Sequence, residues 1–324
     1  MPVVKSYYKV LRVTPDPEYF YIQNEYAGNN TFTLTKTGTP NSTDLEYSKD
    51  KTTWTDIHSG GTVSMAQGEK VYLRSTTGFS KDDYNRYQMN CNQNFSIGGK
   101  VATLFDYQNI DTFDTIPSCG LISLYDLASK LISAANLDFS NITKINEKGL
   151  YSCFSRCSYL TTLPDLSSVT TIGNTGMAAF AQNCGFLTTP PDLSSVTTIG
   201  TNGLSNCFGG CASLTTPPDL SGVTSVSIRS LSSCFSGCSS LTSGPDLSGI
   251  TNMTPNYYIL SECFANCTSL NYVISPNVTV ATNTNFNNWL NNVAASGVVK
   301  KPTNLTLPTD STSGVPTGWT TQNY

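Results

Sequence analysis

The chain has 324 residues, enough for more than one domain and a sizeable core, yet only 12% of them are charged and the formal net charge is −4. That balance excludes a polyanion-binding protein, which needs clustered Lys and Arg. Apolar residues reach 38% and aromatics 10%, so a core can form beneath a surface built of Ser, Thr and Asn. No stretch approaches the roughly 18 apolar residues of a membrane span. Met1–Val10 carries no apolar signal segment, and the eleven cysteines are therefore expected to be reduced.

Residues 1–118 read as an N-terminal β domain. "YYKVLRV", "YFYIQNEY" and "TFTLTKTG" are strand-like, and "LEYSKDKTTWTDI" and "TVSMAQGEKVYLRS" read as hairpins turning at "KDKT" and "AQGE". A small sandwich of about seven strands is expected. Charges are balanced here, with eleven basic and eleven acidic residues in 1–106. "YSKDKTTW" resembles the Asp-box hairpin of sialidase-type propellers. It is one residue short and lacks the glycine, so it reads as an ordinary hairpin with Trp54 packed on the sheet.

Residues 119–272 repeat. Cys157, Cys184, Cys211, Cys238 and Cys267 recur at intervals of 27, 27, 27 and 29, and Asp138, Asp165, Asp192, Asp219 and Asp246 recur every 27 residues. About six units result: a degenerate one without its cysteine pair, as a cap should be, and five more, counted from the unit of Cys153 as the first. Within a unit, Leu204, Cys207, Phe208, Cys211 and Leu214 fall at i, i+3, i+4, i+7 and i+10, which predicts a short helix with one apolar stripe. Equivalent stripes run through Cys153, Phe154 and Cys157, through Cys234, Phe235 and Cys238, and through Cys263, Phe264 and Cys267. In the second unit Phe180 replaces the first cysteine and Ala181 the phenylalanine, a swap that keeps core volume. A short strand, "LTT", and a Pro-Asp turn follow each stripe. Such units stack into a solenoid. Strands about 4.8 Å apart on one side and helices about 10 Å apart on the other predict curvature, with the strands on the concave side.

"VTTIG…CFGGCASLTT" resembles the BspA-like leucine-rich repeat, V-T-x-I-G-x-x-A-F-x-x-C-x-x-L-T, over residues 120–275. About four residues are inserted between the glycine and the stripe. The resemblance implies a leucine-rich-repeat solenoid and says little about activity. Residues 273–324 read as a C-terminal cap, a short helix around Phe286, Trp289 and Leu290, and then an extended tail poor in core residues. The order of β-module, BspA-like repeats and a "GVPTGWT" ending resembles surface or fibre proteins of gut Bacteroidetes and their crAss-like phages.

Little in the chain points to catalysis. The single histidine, His58, lies in "DIHSGG", and residues 149–270 hold only seven charged residues, so nothing activates the repeated thiols. The cysteines are expected as buried core. Disulfides between units are disfavoured because helix spacing exceeds the Cα reach of a bridge, about 7 Å. Thiols four apart on a helix could ligate zinc, but Phe208 lies between Cys207 and Cys211 on that face. The aspartate ladder is expected to form Asx turns; the competing chemistry is calcium binding. No catalytic residue, metal or cofactor is assigned.

Binding falls to the surface, with Tyr159, Phe186, Tyr257 and Tyr258 as candidates. The expected role is a non-enzymatic virion protein, a phage fibre or capsid decoration. Its partners are a host-surface protein or glycan and other virion proteins, with no nucleic acid and no membrane insertion, and a trimer is suggested by analogy. A bacterial cell-surface adhesin is the alternative, and a polysaccharide-acting enzyme the third reading.

Overall fold

The computed structural model describes residues 19–37, 45–57, 61–75, 86–104, 114–116, 121, 128–251, 253, 257–279, 284–310 and 312–324. Among them the molecule is β-rich and nearly without helix: the one helical element is a 3-10 turn at Val101–Leu104.

Two sheets form from the first hundred residues. Strands β1 (Phe20–Asn24), β3 (Leu45–Ser48), β4 (Thr55–Asp56), β6 (Lys70–Ser75) and β8 (Phe95–Lys100) join β10 (Leu131–Asp138) in the order β10-β8-β1-β6-β3-β4. Strands β2 (Asn30–Thr37), β5 (Thr62–Met65) and β7 (Arg86–Cys91) make a second sheet, β5-β2-β7. Alternation decides which face is buried. Phe20, Ile22, Val71 and Leu73 of the first sheet and Phe32, Leu34, Val63 and Met65 of the second belong to one buried cluster.

β3 and β4 pair as a hairpin, with Glu46 opposite Asp56. The "AQGE" segment does not make the expected hairpin. β5 pairs with β2, whereas β6 pairs with β1 and β3. The loop therefore crosses between sheets. The Asn24 amide donates to the Ala66 carbonyl at 2.9 Å, and Gly68 adopts φ +72°. This puts Met65 and Val71 into the shared interior from opposite sides.

The repeats continue this architecture without a break. β10 runs parallel to β8, and parallel bridges Ser133–Thr162 and Thr162–Thr189 carry the ladder into the following units. A five-stranded parallel sheet is made of two-residue strands: β9 (Thr115–Ile116), β11 (Lys144–Ile145), β12 (Thr171–Ile172), β13 (Thr198–Ile199) and β14 (Ser225–Val226). Its isoleucines point inward and its Thr and Lys outward. Ile116 pairs with Ile145, so this sheet begins before residue 119.

The expected helices are absent from the described residues. The stripe segments are ribbons of turns in which every fourth residue is left-handed: Lys148, Ser152 and Arg156, then Thr175, Ala179 and Asn183, then Asn202, Asn206 and Gly210. Hydrogen bonds alternate along each ribbon. The Cys153 N–H donates back three residues to the Leu150 carbonyl at 3.2 Å, while the Phe154 N–H donates to Phe180 of the next unit at 2.8 Å. An α-helix would satisfy both within itself. Here half the donors bind the neighbouring unit, so both sides of a unit advance at strand spacing, about 4.8 Å. The curvature expected from wide helices loses its physical basis.

The tail extends the stack. β15 (Ser243–Asp246), β16 (Tyr272–Ile274), β17 (Gly297–Lys301) and β18 (Trp319–Asn323) form a four-stranded parallel sheet. Residues 284–292 repeat the turn ribbon instead of forming a capping helix, with Asn288 and Asn292 left-handed. The tail is not poor in core: Val299, Leu305, Val315 and Trp319 are buried, and the Trp289 indole donates to the Gly314 carbonyl at 2.8 Å.

Candidate functional site

Ten cysteines lie among the described residues, and all are free and buried; Cys119 and His58 lie outside the described residues. Burial pushes the Cys153, Cys207, Cys234 and Cys263 thiols far above their ordinary value, and Cys267 up to about 12. Thiols held protonated in this way are poor nucleophiles. The second cysteine of each unit has a partner. Cys184, Cys211, Cys238 and Cys267 donate their S–H to the carbonyls of Phe154, Ala181, Phe208 and Phe235 in the preceding unit, at 3.0–3.1 Å. At strand spacing, neighbouring units bring Cα atoms within reach of a bridge, so the spacing argument against disulfides fails. The thiols are nonetheless free.

The phenylalanines form a column beside them. Phe208, Phe235 and Phe264 stack with centroids 5.7 Å apart and planes within 11°. Phe154 meets Phe180 edge-on at 5.2 Å. Ala181 leaves the column open at the second unit, and the Phe180 ring lies against Phe154 from the neighbouring position.

Each repeated aspartate turns its own loop. The carboxylates of Asp138, Asp165, Asp192, Asp219 and Asp246 accept the backbone N–H two residues on, at 2.8–2.9 Å. The hydroxyl and N–H of Ser194 hold the Asp192 carboxyl below its usual range. Among the described residues no group of three or more His, Cys, Asp and Glu is placed to hold a metal ion. Asp50 does similar work in the N-terminal hairpin. It accepts from the N–H groups of Thr53 and Thr52 and from the Ser48 hydroxyl, which hold it far below the ordinary value. Lys51 takes the left-handed position there, and Trp54 packs edge-on against Tyr19 at 4.8 Å.

Among the described residues the exposed large apolar side chains are Tyr26, Tyr159, Phe186, Ile228, Tyr258 and Tyr324. Tyr159 and Phe186, 53% and 57% exposed, occupy one register position of successive units and stack with planes 5° apart and centroids at 5.6 Å. Tyr258 is exposed and carries Arg229 over its ring at 5.4 Å, whereas Tyr257 is half-buried against the core. The structure therefore joins two of the four candidate aromatics and places the other two elsewhere. A shallow cleft of about 280 Å³ lies beside β17 and β18, lined by Lys301, Thr303, Thr309 and Thr321 over Leu305 and Trp319. Sequence inspection missed this cleft because the tail reads as coreless. No helix among the described residues is long and apolar enough to cross a membrane.

No protein-family model matches the chain, and no curated protein matches it. Among solved structures it is similar to the crystal structure of a leucine-rich repeat protein from Bacteroides ovatus. The match has 21% identity and a TM-score of 0.34, and it covers 68% of this chain. It spans 46% of the length of that protein.

Proposed function

We propose that this chain is a non-enzymatic binding scaffold. It is a BspA-like leucine-rich-repeat solenoid of about six 27-residue units behind an N-terminal β-sandwich, carried on a phage particle as a fibre or decoration protein and adhering to a host-surface protein or glycan. One observation carries the reading. The recurring cysteines, phenylalanines and aspartates are spent on the interior or on turns, and the exposed aromatics stand at positions where most other units carry none. The cysteines and phenylalanines are buried, the aspartates bind their own backbone, and Tyr159, Phe186 and Tyr258 stand exposed. A surface with so few charged groups suits short-range contact with neutral partners rather than long-range steering.

Two measurements test this. Purified particles from a lysate of the host should contain the chain by mass spectrometry, in amounts comparable to a structural protein; absence removes the particle and leaves a cell-surface adhesin. Labelled protein should bind intact host cells and lose that binding when surface polysaccharide and protein are stripped. Binding unchanged by stripping, or no binding, overturns the adhesive role.

A further inference from the structure

The exposed ring pair ends abruptly. Tyr159 and Phe186 stack in successive units, and the next residue in that column is Ser213. The Ser213 N–H donates to the Gly185 carbonyl at 3.2 Å, which sets the 212–213 turn directly against the 185–186 turn. The face of Phe186 turned away from Tyr159 therefore looks over a serine, where a third ring would complete the stack. Its floor is also bare. A Cβ built on Gly185 meets nothing within 4 Å, and the next unit offers only Ala212 beside Ser213.

We propose that this face of Phe186 binds a neutral pyranose ring. The inference rests on the adhesive reading above and names its ligand and site. A sugar ring presents a flat patch of polarised C–H groups that suits the negative face of an aromatic ring, and its hydroxyls need neutral donors and acceptors at the edge. The Ser213 hydroxyl and the turn backbone supply these. The column stays without a ring through Ser213 and Ser240, so one flat ring can stack on Phe186 and a longer ligand finds no second aromatic face beyond it. Two rings fall far short of the roughly 800 Å² per partner that a stable protein interface buries, so a second copy or a protein partner is a poor occupant. Between residues 149 and 218 the charged residues are Arg156, Asp165 and Asp192, so a multiply anionic ligand has no matching field.

The test is a titration of the full chain, labelled on its aromatic rings, with methyl β-galactoside and methyl β-glucoside. Ring resonances of Phe186 and Tyr159 should shift saturably, with a dissociation constant on the order of 1–10 mM. Phe186→Ser, which copies Ser213, and Phe186→Leu, which keeps apolar volume without a flat face, should each abolish the shift at unchanged melting temperature. No shift with either glycoside up to about 200 mM, a tenfold preference for methyl glucuronide, or a shift surviving in both variants overturns the proposal. Wild-type adhesion to cells in the presence of any of these results sinks only the sugar site; loss of adhesion sinks the scaffold reading itself.

Discussion

The Cys211 thiol donates to the carbonyl of Ala181, 3.1 Å away in the preceding unit. The same carbonyl accepts the N–H of Cys184 at 3.2 Å, so one oxygen closes a turn in its own unit and receives the next. A cysteine fits this place because it packs like a small apolar residue and still carries a weak donor. Alanine has no donor, and valine would put a branch where the sulfur reaches.

That relationship sets the outcome for substitutions. Cys211→Ala should lower the unfolding free energy by about 1–2 kcal/mol, chiefly through lost buried volume, because the Ala181 carbonyl keeps its N–H partner. Cys211→Ser should be no worse than Cys211→Ala, since its hydroxyl reaches the same oxygen. A serine variant markedly below alanine in urea denaturation would show that the carbonyl is not reached. In the native protein at pH 8 at most one thiol should react with an aromatic disulfide reagent, because ten of the eleven are buried and free. Rapid reaction of several would contradict the buried ladder.

The left-handed ribbon makes a prediction opposite in sign to that of a helix. Thr175 is β-branched and sits at φ +55°. That conformation costs an L-residue roughly 1–2 kcal/mol, and glycine adopts it freely. Thr175→Gly should therefore raise stability by about 0.5–1 kcal/mol. In a helix the same change would lower it by about 0.3 kcal/mol. Chemical denaturation of this one variant separates the two geometries, and a loss of stability would restore the helix.

Acid should weaken the fold through its turn carboxylates. Hydrogen bonds hold Asp50, Asp192 and Asp310 below the ordinary value of 3.8. A carboxyl depressed in the folded state contributes stability above its unfolded pKa, and that contribution is lost as pH falls through the lower folded value. The urea midpoint should thus be flat from pH 7 to about 5 and fall below about 4. The triple variant Asp50→Asn, Asp192→Asn, Asp310→Asn still offers an acceptor to the same N–H groups. It should match the wild type near pH 7 and show a shallower acid decline. An unchanged decline would mean that other groups carry it.

The phase of the units was legible because most interior positions recur every 27 residues, and the placing of Ile172 and Ile199 on one inward column follows from "VTTIG". The ribbon was not legible as such. Leu204, Cys207, Phe208 and Cys211 point inward at intervals that fit a helical period of 3.6 and a turn period of 4 equally over two turns. The discriminating signal lay in "TNGLSNCFGG", where Asn202, Asn206 and Gly210 stand four apart, each a residue type that tolerates positive φ. The tail misled for a different reason. Its core residues Val299, Leu305, Val315 and Trp319 are single, separated by Pro, Gly and Thr, and they become a core only when the stack beneath them supplies the other wall. The ring pair could be guessed from Tyr159 and Phe186 lying 27 apart, but not the open face that Gly185 and Ser213 leave.

One position breaks the pattern of the ribbon and gives the last prediction. Gly149, Gly176 and Gly203 occupy equivalent places, each so close to the inward isoleucine of its strand that an added Cβ would lie 2.6–3.1 Å from the isoleucine methyl. In the fourth unit the glycine is Ser230 and the isoleucine is Val226, one methyl group smaller. The exchange relieves the contact but brings a hydroxyl into the core. Ser230 is 0% exposed, and its Oγ has no hydrogen-bond partner among the described residues. A buried hydroxyl without a partner costs about 1–3 kcal/mol. Ser230→Ala keeps the Cβ and deletes the hydroxyl, so it should raise the unfolding free energy by about 1 kcal/mol. Val226→Ile alone should lose stability by overpacking against Ser230, and Val226→Ile with Ser230→Gly should recover it by rebuilding the arrangement of the third unit. Additive effects of the two changes in a double-mutant cycle would show that the pair does not touch.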